Sequence, residues 1–449
     1  MNISNRFIPP PPEDGSNATK RERSIRLAVF SSALSKSGTL LLRIVSIPIA
    51  IRVLGLGSFG VYASLTTMVA LIEAFHIGVG PALTRGILKA EVAHDQKAAQ
   101  AIFSTGFLII AAITLTSVAL FSLLFLNVPM TSLFGPHFAE YETVVMRCLP
   151  IAVGIIMIHV IFGSCEKARD GFMETSVNNK WGALGNYGGA IFLFLGIRNF
   201  HSIEFLFLAV NGSVALAKVG NAASLFHERP WLFPRIGSFD LSLVRPLLAD
   251  SSLFSITYLL SALVEYNALV YLAGRFHGPE LAAIFSAFVT IHFSLTGILQ
   301  MFTIPLWPAV IDAHERGDKE WIQTSTRRLA LFSVGFSAIC AIGLALAGPF
   351  VMPLWLGEKL PLTPIVFIAF GIYFMLHIFR QSGQTLLLGI GKVSFCFRTI
   401  LVESALVMTV IVAALKFGSP GWVYAGIAAA IAGVSGWIYP VTFLREIRK

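Results

Sequence analysis

Three cations interrupt one apolar segment near the start of the chain, SALSKSGTLLLRIVSIPIAIRVLG, which covers residues 32–55. Lys36 and Arg43 are seven residues apart and therefore share one face of a helix, and Arg52 follows near its far end. In a membrane span each such charge costs roughly 2.5–3.5 kcal/mol and usually faces a cavity or a partner. Because Arg can bind two phosphate oxygens at once, the pattern indicates a cationic strip suited to a polyanionic group.

Each of these cations also has a plainer interpretation. Lys36 lies about one and a half turns into the segment, where its stem could extend to the inner interface. Arg52 could anchor the outer interface rather than line the mouth of a cavity. Arg43 lies near the middle, where we expect it either to face a cavity or to form a structural ion pair. Glu73 lies between Lys36 and Arg43 in depth and could neutralise either of them.

Further charged residues lie in apolar segments of the second half of the chain. Arg380 and Glu403 each lie about nine residues from the inner end of their segments, so we expect a buried pair. This pair could hold two helices together or act as a gate that substrate breaks. Glu265 and His292 could similarly meet in the outer half. Carboxylates and His at such depth can carry protons or bind Na⁺, although an internal counter-ion is the commoner role.

The composition is that of a membrane protein. Of the 449 residues, 55% are hydrophobic and 13% are charged, about half the usual charged fraction of roughly 25%. The mean hydropathy is +0.76, and apolar runs of roughly 20 residues, each able to cross about 30 Å of hydrocarbon, recur along the chain. The net charge of +9 fits basic cytoplasmic loops better than a nucleic-acid partner.

The motifs of several other classes of site are missing from the sequence. The four cysteines are scattered without metal-ligand spacing, which predicts neither a metal site nor a disulfide framework. The segment GIGKVS (389–394) lacks the spacing of a Walker A motif, so direct coupling to ATP is not expected. No H-E-x-x-H or G-x-S-x-G motif occurs either, and we expect no catalytic residues and no enzyme activity.

The apolar runs predict an all-α integral membrane protein with twelve spans, at residues 31–54, 58–80, 100–126, 143–165, 181–197, 204–225, 249–273, 280–306, 328–350, 362–388, 394–416 and 421–443. The segments between them alternate in charge, with 23 Lys and Arg on one side and three on the other. This bias predicts that both termini lie in the cytoplasm. Residues 1–24, with four consecutive prolines and mixed charges, are predicted to form a disordered cytoplasmic tail.

The two halves of the chain resemble each other. MIHVIFGSCEKARDG (157–171) and MLHIFRQSGQTLLLG (375–389) match at several positions offset by 218, including His159 and His377. For both histidines, the plainer interpretation is a structural role, in which the side chain forms hydrogen bonds between helices. Two six-helix halves that both start inside are a parallel repeat, with a substrate cavity between the halves. We therefore predict an N-terminal lobe (25–226), a cytoplasmic linker (227–248) and a C-terminal lobe (249–449).

The stretch AIRVLGLGSFGVYASLTTMVALIEAFHIGVGPALTR (50–85) resembles a known family. It is similar to the polysaccharide transporters of the multidrug/oligosaccharidyl-lipid/polysaccharide superfamily, the Wzx-type flippases. The matching positions are Arg52, Leu54-Gly55, Phe59-Gly60-Val61-Tyr62, Gly78-Val79-Gly80 and Arg85. The segment LVYLAGRFHGPELAAIFSA (269–287) echoes this pattern in the second half. Relatives often place an Asp five residues before the glycine that is Gly274 here. This chain has Leu269 there, and Glu265, one turn earlier, could substitute.

The resemblance implies two six-helix lobes around a central cavity that opens alternately to each side. The cargo would be an oligosaccharide on an undecaprenyl-pyrophosphate carrier, moved from the cytoplasmic to the outer leaflet for O-antigen, capsule or exopolysaccharide synthesis. No cofactor is expected, and coupling to H⁺ or Na⁺ is left open. The expected partners are the lipid-linked glycan, membrane lipids, and a polysaccharide polymerase with its chain-length regulator, in a bacterial inner membrane. The alternatives are a multidrug or cation exporter of the same superfamily and a membrane-embedded glycan ligase or polymerase.

Overall fold

The structure is a computed structural model, and it describes residues 15–74, 79–249, 256–257, 259–260, 263–303, 319–358, 362–389 and 392–448. These ranges are almost entirely helical and contain no strand. Nine helical stretches within them are long and apolar enough to cross a membrane. Each of the twelve predicted spans overlaps one or two helices, although parts of the spans 58–80, 249–273 and 280–306 lie outside the described residues.

The helices of the first half are α1 (Gly15–Leu54), α2 (Leu56–Ala74), α3 (Val79–Val92), α4 (Gln96–Asn127), α5 (Met130–Phe134), α6 (Glu142–Gly171), α7 (Thr175–Gly196), α8 (Ile203–Phe207), α9 (Ser213–Glu228) and α10 (Val244–Ala249). The prediction of a disordered tail is wrong for residues 15–24, because α1 already begins at Gly15. Ala, Lys, Arg and Glu in that stretch are good helix formers, and they extend the apolar helix towards the N-terminus.

The first element of the second half whose bounds are described is a π turn, Leu263–Ala268. It is followed by α11 (Leu269–His277), α12 (Pro279–Thr303), α13 (Lys319–Leu356), α14 (Pro364–Gly389), α15 (Val393–Phe417), α16 (Val423–Gly433) and α17 (Ser435–Arg448). Within each half the helices pack on one another, as α1 does on α7 and α13 does on α14. Small residues permit the close approaches. A Cβ on Gly371 of α14 would lie 2.9 Å from the carbonyl oxygen of Ala341 on α13.

The two halves meet at the ends predicted to face away from the cytoplasm, which we call the outer ends. Helix α2 packs on α12, and a Cβ on Gly60 would lie only 1.7 Å from the carbonyl oxygen of Pro279. Arg275 donates to the carbonyl oxygen of Leu133 at 2.6 Å, and Tyr271 donates to the same carbonyl. The described contacts therefore close the outer side of the molecule.

The predicted linker lies against the first half. The backbone N–H of Arg235 donates to Ser104 Oγ at 3.3 Å, and that of Asp240 donates to Thr105 Oγ1 at 3.0 Å, both on α4. At the start of the linker, Glu228 accepts a hydrogen bond at 3.1 Å from the fully buried guanidinium of Arg169, which also donates to Glu174 at 2.7 Å. These bonds join the ends of α6, α7 and α9 and attach the linker to the first half.

Candidate functional site

A network of charged side chains is buried inside the second half. Glu265, His377, Arg380 and Glu403 are exposed by only 4%, 3%, 2% and 1%. They come from three places, the π turn before α11, helix α14 and helix α15. A π turn widens the helix locally and is frequent at functional sites, and both Glu265 and Tyr266 are buried within it.

Arg380 lies at the centre of the network. Its Nη1 donates to Oε1 of Glu403 and to Oε1 of Glu265. The predicted contact between Arg380 and Glu403 is therefore confirmed, while the second carboxylate was not foreseen at this place. Glu265 was expected beside His292, and it instead contacts Arg380 and His377. One guanidinium thus faces two carboxylates in a space with almost no exposed surface.

The second set of bonds runs through His377. Its Nδ1 lies 2.9 Å from Glu265 Oε2, and its Nε2 lies 3.2 Å from the hydroxyl of Tyr266. That hydroxyl also lies 2.9 Å from Nε2 of His292. Tyr373, one turn before His377 on α14, donates to Glu265 Oε2 at 3.4 Å. His292 therefore joins Glu265 through Tyr266 and His377 and not directly.

The charges of this network do not balance without an added proton. Two ionised carboxylates outnumber the single guanidinium of Arg380 by one negative charge, and burial makes such an excess costly. A lone pair on Nδ1 of His377 would repel an ionised oxygen of Glu265 at 2.9 Å. A hydrogen bond between these two atoms needs a proton on one of them. Nη2 of Arg380 also donates to Nδ1 of His377 at 3.0 Å, so this nitrogen already has a donor beside it. One added positive charge would neutralise the whole network.

Arg43 lies between the two halves. Its side chain is exposed, and its guanidinium carbon lies 5.5 Å from the centre of the Phe293 ring on α12. This distance is within the range of a cation–π contact. The ring of Phe293 in turn lies 4.6 Å from that of Tyr266, between ring centres. The ring of Phe293 therefore lies between the cation on α1 and Tyr266 of the buried network.

The other predicted site residues are placed apart from this network. Arg52 is exposed near the end of α1, and its Nη2 donates to the carbonyl oxygen of Leu354 at 3.4 Å. Lys36 is half-buried nearer the inner end of α1. His159 is half-buried on α6 in the first half, away from its repeat equivalent His377. The side chain of Glu73 lies outside the described residues, so its expected contact with Arg43 or Lys36 is untested.

The sequence pattern did not lead us to predict two members of the network, Tyr266 and Tyr373. Tyr373, His377 and Arg380 have the spacing i, i+4, i+7, which places them on one face of a helix and could have grouped them. Tyr266 is adjacent to Glu265, and neighbouring residues of a regular α-helix point about 100° apart, so both were not expected to face the interior. Leu269, at the position where relatives often have Asp, is fully buried in the apolar core.

These features define a polytopic helical membrane protein with two packed halves and a charged network buried in the second half. The model of a family described as "Polysaccharide biosynthesis protein" matches residues 27–314, and the chain belongs to this family. A curated relative from Escherichia coli (strain K12), named "Putative O-antigen transporter", is 24% identical over 400 residues, which are 83% of this chain and 88% of that protein.

Solved structures show the same fold. An inward-facing multidrug resistance MATE family transporter of the MOP superfamily superposes with a TM-score of 0.73 at 14% identity, over 93% of this chain and 98% of that one. A MOP superfamily transporter from Pyrococcus furiosus, reported with reversed polarity of its binding pocket, gives a TM-score of 0.65 at 14% identity, over 94% and 95%. The family and the fold together make this chain a multi-pass helical membrane protein of the polysaccharide biosynthesis family, with the fold of these transporters.

Proposed function

We propose that the protein flips undecaprenyl-pyrophosphate-linked oligosaccharides from the cytoplasmic to the outer leaflet for the synthesis of a surface polysaccharide. The two halves would open alternately to either side of a bacterial inner membrane, with both termini in the cytoplasm. The family match and the name of the relative support this substrate class. A polysaccharide polymerase and its chain-length regulator would receive the product on the outer side.

The observation that carries the proposal is the position of Arg43. The side chain lies on α1 where the two halves face each other, and the described side chains beside it are the aromatic groups of Phe293 and Tyr62. A ring satisfies the charge in part but leaves the N–H donors of the guanidinium to other groups. A pyrophosphate can accept two of these donors at once. A drug or cation exporter would instead favour acidic groups at this position.

The buried network supplies a means of coupling in the same proposal. Glu265, His377 and Arg380 would take up a proton on one side of the membrane and release it on the other. Because the network holds one excess negative charge, a single cation is enough to change its balance. Na⁺ is the alternative coupling ion. It would need oxygen ligands from Glu265 and Glu403, which already receive hydrogen bonds from Arg380.

A cellular test compares variants of Arg43 at matched membrane abundance. Arg43→Gln should accumulate lipid-linked glycan on the cytoplasmic leaflet, whereas Arg43→Lys should keep part of the transport because it retains a point charge. Arg198→Gln, an exposed cation in a loop predicted to lie outside, is the matched control and should be neutral. Full rescue of Arg43→Gln by Glu73→Gln would contradict a substrate role, because it would show that Arg43 only neutralises Glu73.

A further inference from the structure

Helix α1 contains a proline that leaves one of its carbonyl groups without a helical partner. Pro48 lies inside α1 and has no backbone N–H. The carbonyl that this N–H would have bonded belongs to Ile44, four residues earlier. An unpaired carbonyl is costly in a membrane span, where no bulk water is at hand to satisfy it. Another donor is therefore expected near Ile44.

That donor comes from the other half of the molecule. The indole Nε1 of Trp355, in the last turn of α13, donates to the carbonyl oxygen of Ile44 at 3.0 Å. The side chain reaches across the boundary between the two halves to the one carbonyl that Pro48 leaves open. The bond therefore exists only while α1 and α13 are close together.

A second bond runs in the opposite direction at the same place. Leu354 lies in the last turn of α13, where carbonyl groups have no N–H left to bond within the helix. Arg52 of α1 donates its Nη2 to that carbonyl at 3.4 Å. Gly357 ends this turn with φ +78, and a Cβ there would lie 3.0 Å from Arg52 Nε. Each half thus donates to a backbone carbonyl that the helix of the other half leaves unpaired.

We infer that Trp355 and Arg52 form a reciprocal latch that holds the outer ends of the two halves together. Opening towards the outside breaks both bonds and leaves two carbonyl groups to be satisfied by water in the opened cavity. Trp355 is a positioning residue in this arrangement and need not touch the cargo. Its effect on transport rests on the proposed alternating cycle, but the latch itself is a property of the protein without substrate.

The test measures the distance between the outer ends of the two halves in the purified protein, without glycan. Spin labels are placed at residues 127 and 363, both exposed and near the outer ends of α4 and α14, in a background without native cysteines. Trp355→Phe keeps the ring and removes the N–H. It should raise the population with long distances several-fold. An unchanged distance distribution would overturn the latch.

Pro48→Ala distinguishes the latch from a general loss of packing at Trp355. Alanine restores the N–H at position 48, so the carbonyl of Ile44 gains a partner within α1. In the Pro48→Ala background, Trp355→Phe should then add little to the long-distance population. Equal effects of Trp355→Phe with and without Pro48 would contradict the inference, because they would show that the carbonyl is irrelevant.

Trp437→Phe is the matched control. The indole of Trp437 also donates to a backbone carbonyl at 3.0 Å, but that carbonyl belongs to Gly433 in the same half of the molecule. Its removal should leave the distance between labels unchanged. A shift as large as that of Trp355→Phe would overturn the assignment. The distances are measured without cargo, so they would still change as expected if the protein were not a flippase. Conversely, the glycan assay on the Arg43 variants does not depend on the bond from Trp355.

Discussion

Nδ1 of His377 and Oε2 of Glu265 lie 2.9 Å apart in the interior of the second half, although the two residues are 112 positions apart in the chain. One comes from a π turn and the other from the middle of α14. A hydrogen bond at this distance needs a proton on one of the two atoms, and Arg380 donates to both residues, through Nη1 to Glu265 and through Nη2 to Nδ1 of His377 at 3.0 Å. This contact is where we propose that the network gains and loses the coupling proton.

Replacement of Glu265 tests whether this proton couples transport. Glu265→Gln keeps the size of the side chain and removes one negative charge, so Arg380 and Glu403 balance without an added proton. We expect normal membrane abundance and transport that no longer responds to an imposed pH gradient. Glu280→Gln, an exposed carboxylate at the start of α12, is the control. A response to the gradient that matches that of the wild type would rule out Glu265 as the coupling group.

Breaking the central ion pairs should reduce the stability of the folded protein. Arg380→Ala strands two buried carboxylates, whereas Glu403→Ala leaves the contact between Arg380 and Glu265 in place. Because breaking a buried pair costs about 3–5 kcal/mol, Arg380→Ala should lower the thermal unfolding temperature more. Adding Glu403→Ala to Arg380→Ala should recover part of the loss. Strict additivity in this double-mutant cycle, measured in detergent, would show that the residues do not interact.

The fold and part of this site could be predicted from the sequence. The lengths of the apolar runs match the thickness of the membrane and therefore predicted the spans. The equal depth of Arg380 and Glu403 in their spans predicted the contact between them. Depth alone could not bring Glu265 to Arg380, because the π turn changes which face of its helix points inward. The bond from Trp355 to Ile44 depends on how the two halves meet, which no local pattern encodes.

Gly60 tests the closed outer contact between the two halves. Alanine at this position would place a Cβ 1.7 Å from the carbonyl oxygen of Pro279, so α2 and α12 must move apart. Gly60→Ala should therefore shift the labels at residues 127 and 363 to longer distances and reduce transport. Gly154→Ala is the control, since nothing lies within 4 Å of its Cβ position on α6. If the distance between the two labels in Gly60→Ala equals that in the unsubstituted protein, the two halves do not meet at this glycine.

The orientation in the membrane is tested by reporter fusions at the loops. The charge bias predicts outside signals at residues 135, 277 and 358 and inside signals at residues 93, 173, 237 and 316. The fusion at 237 is the most informative, because this segment lies on α4 through the bonds of Arg235 and Asp240. An outside signal there would reverse the assignment of the outer ends and place the contact between Gly60 and Pro279 on the cytoplasmic side.

The most direct measurement of transport uses purified protein in vesicles that contain undecaprenyl-pyrophosphate-linked oligosaccharide. The glycan exposed on the external surface is followed with time by a membrane-impermeant glycosidase, with and without an imposed pH gradient. Wild-type protein should speed the movement between leaflets at least ten-fold over empty vesicles, and Arg43→Gln should lose most of that gain. Equal rates in wild-type, Arg43→Gln and empty vesicles would contradict the proposal that this protein flips lipid-linked oligosaccharides.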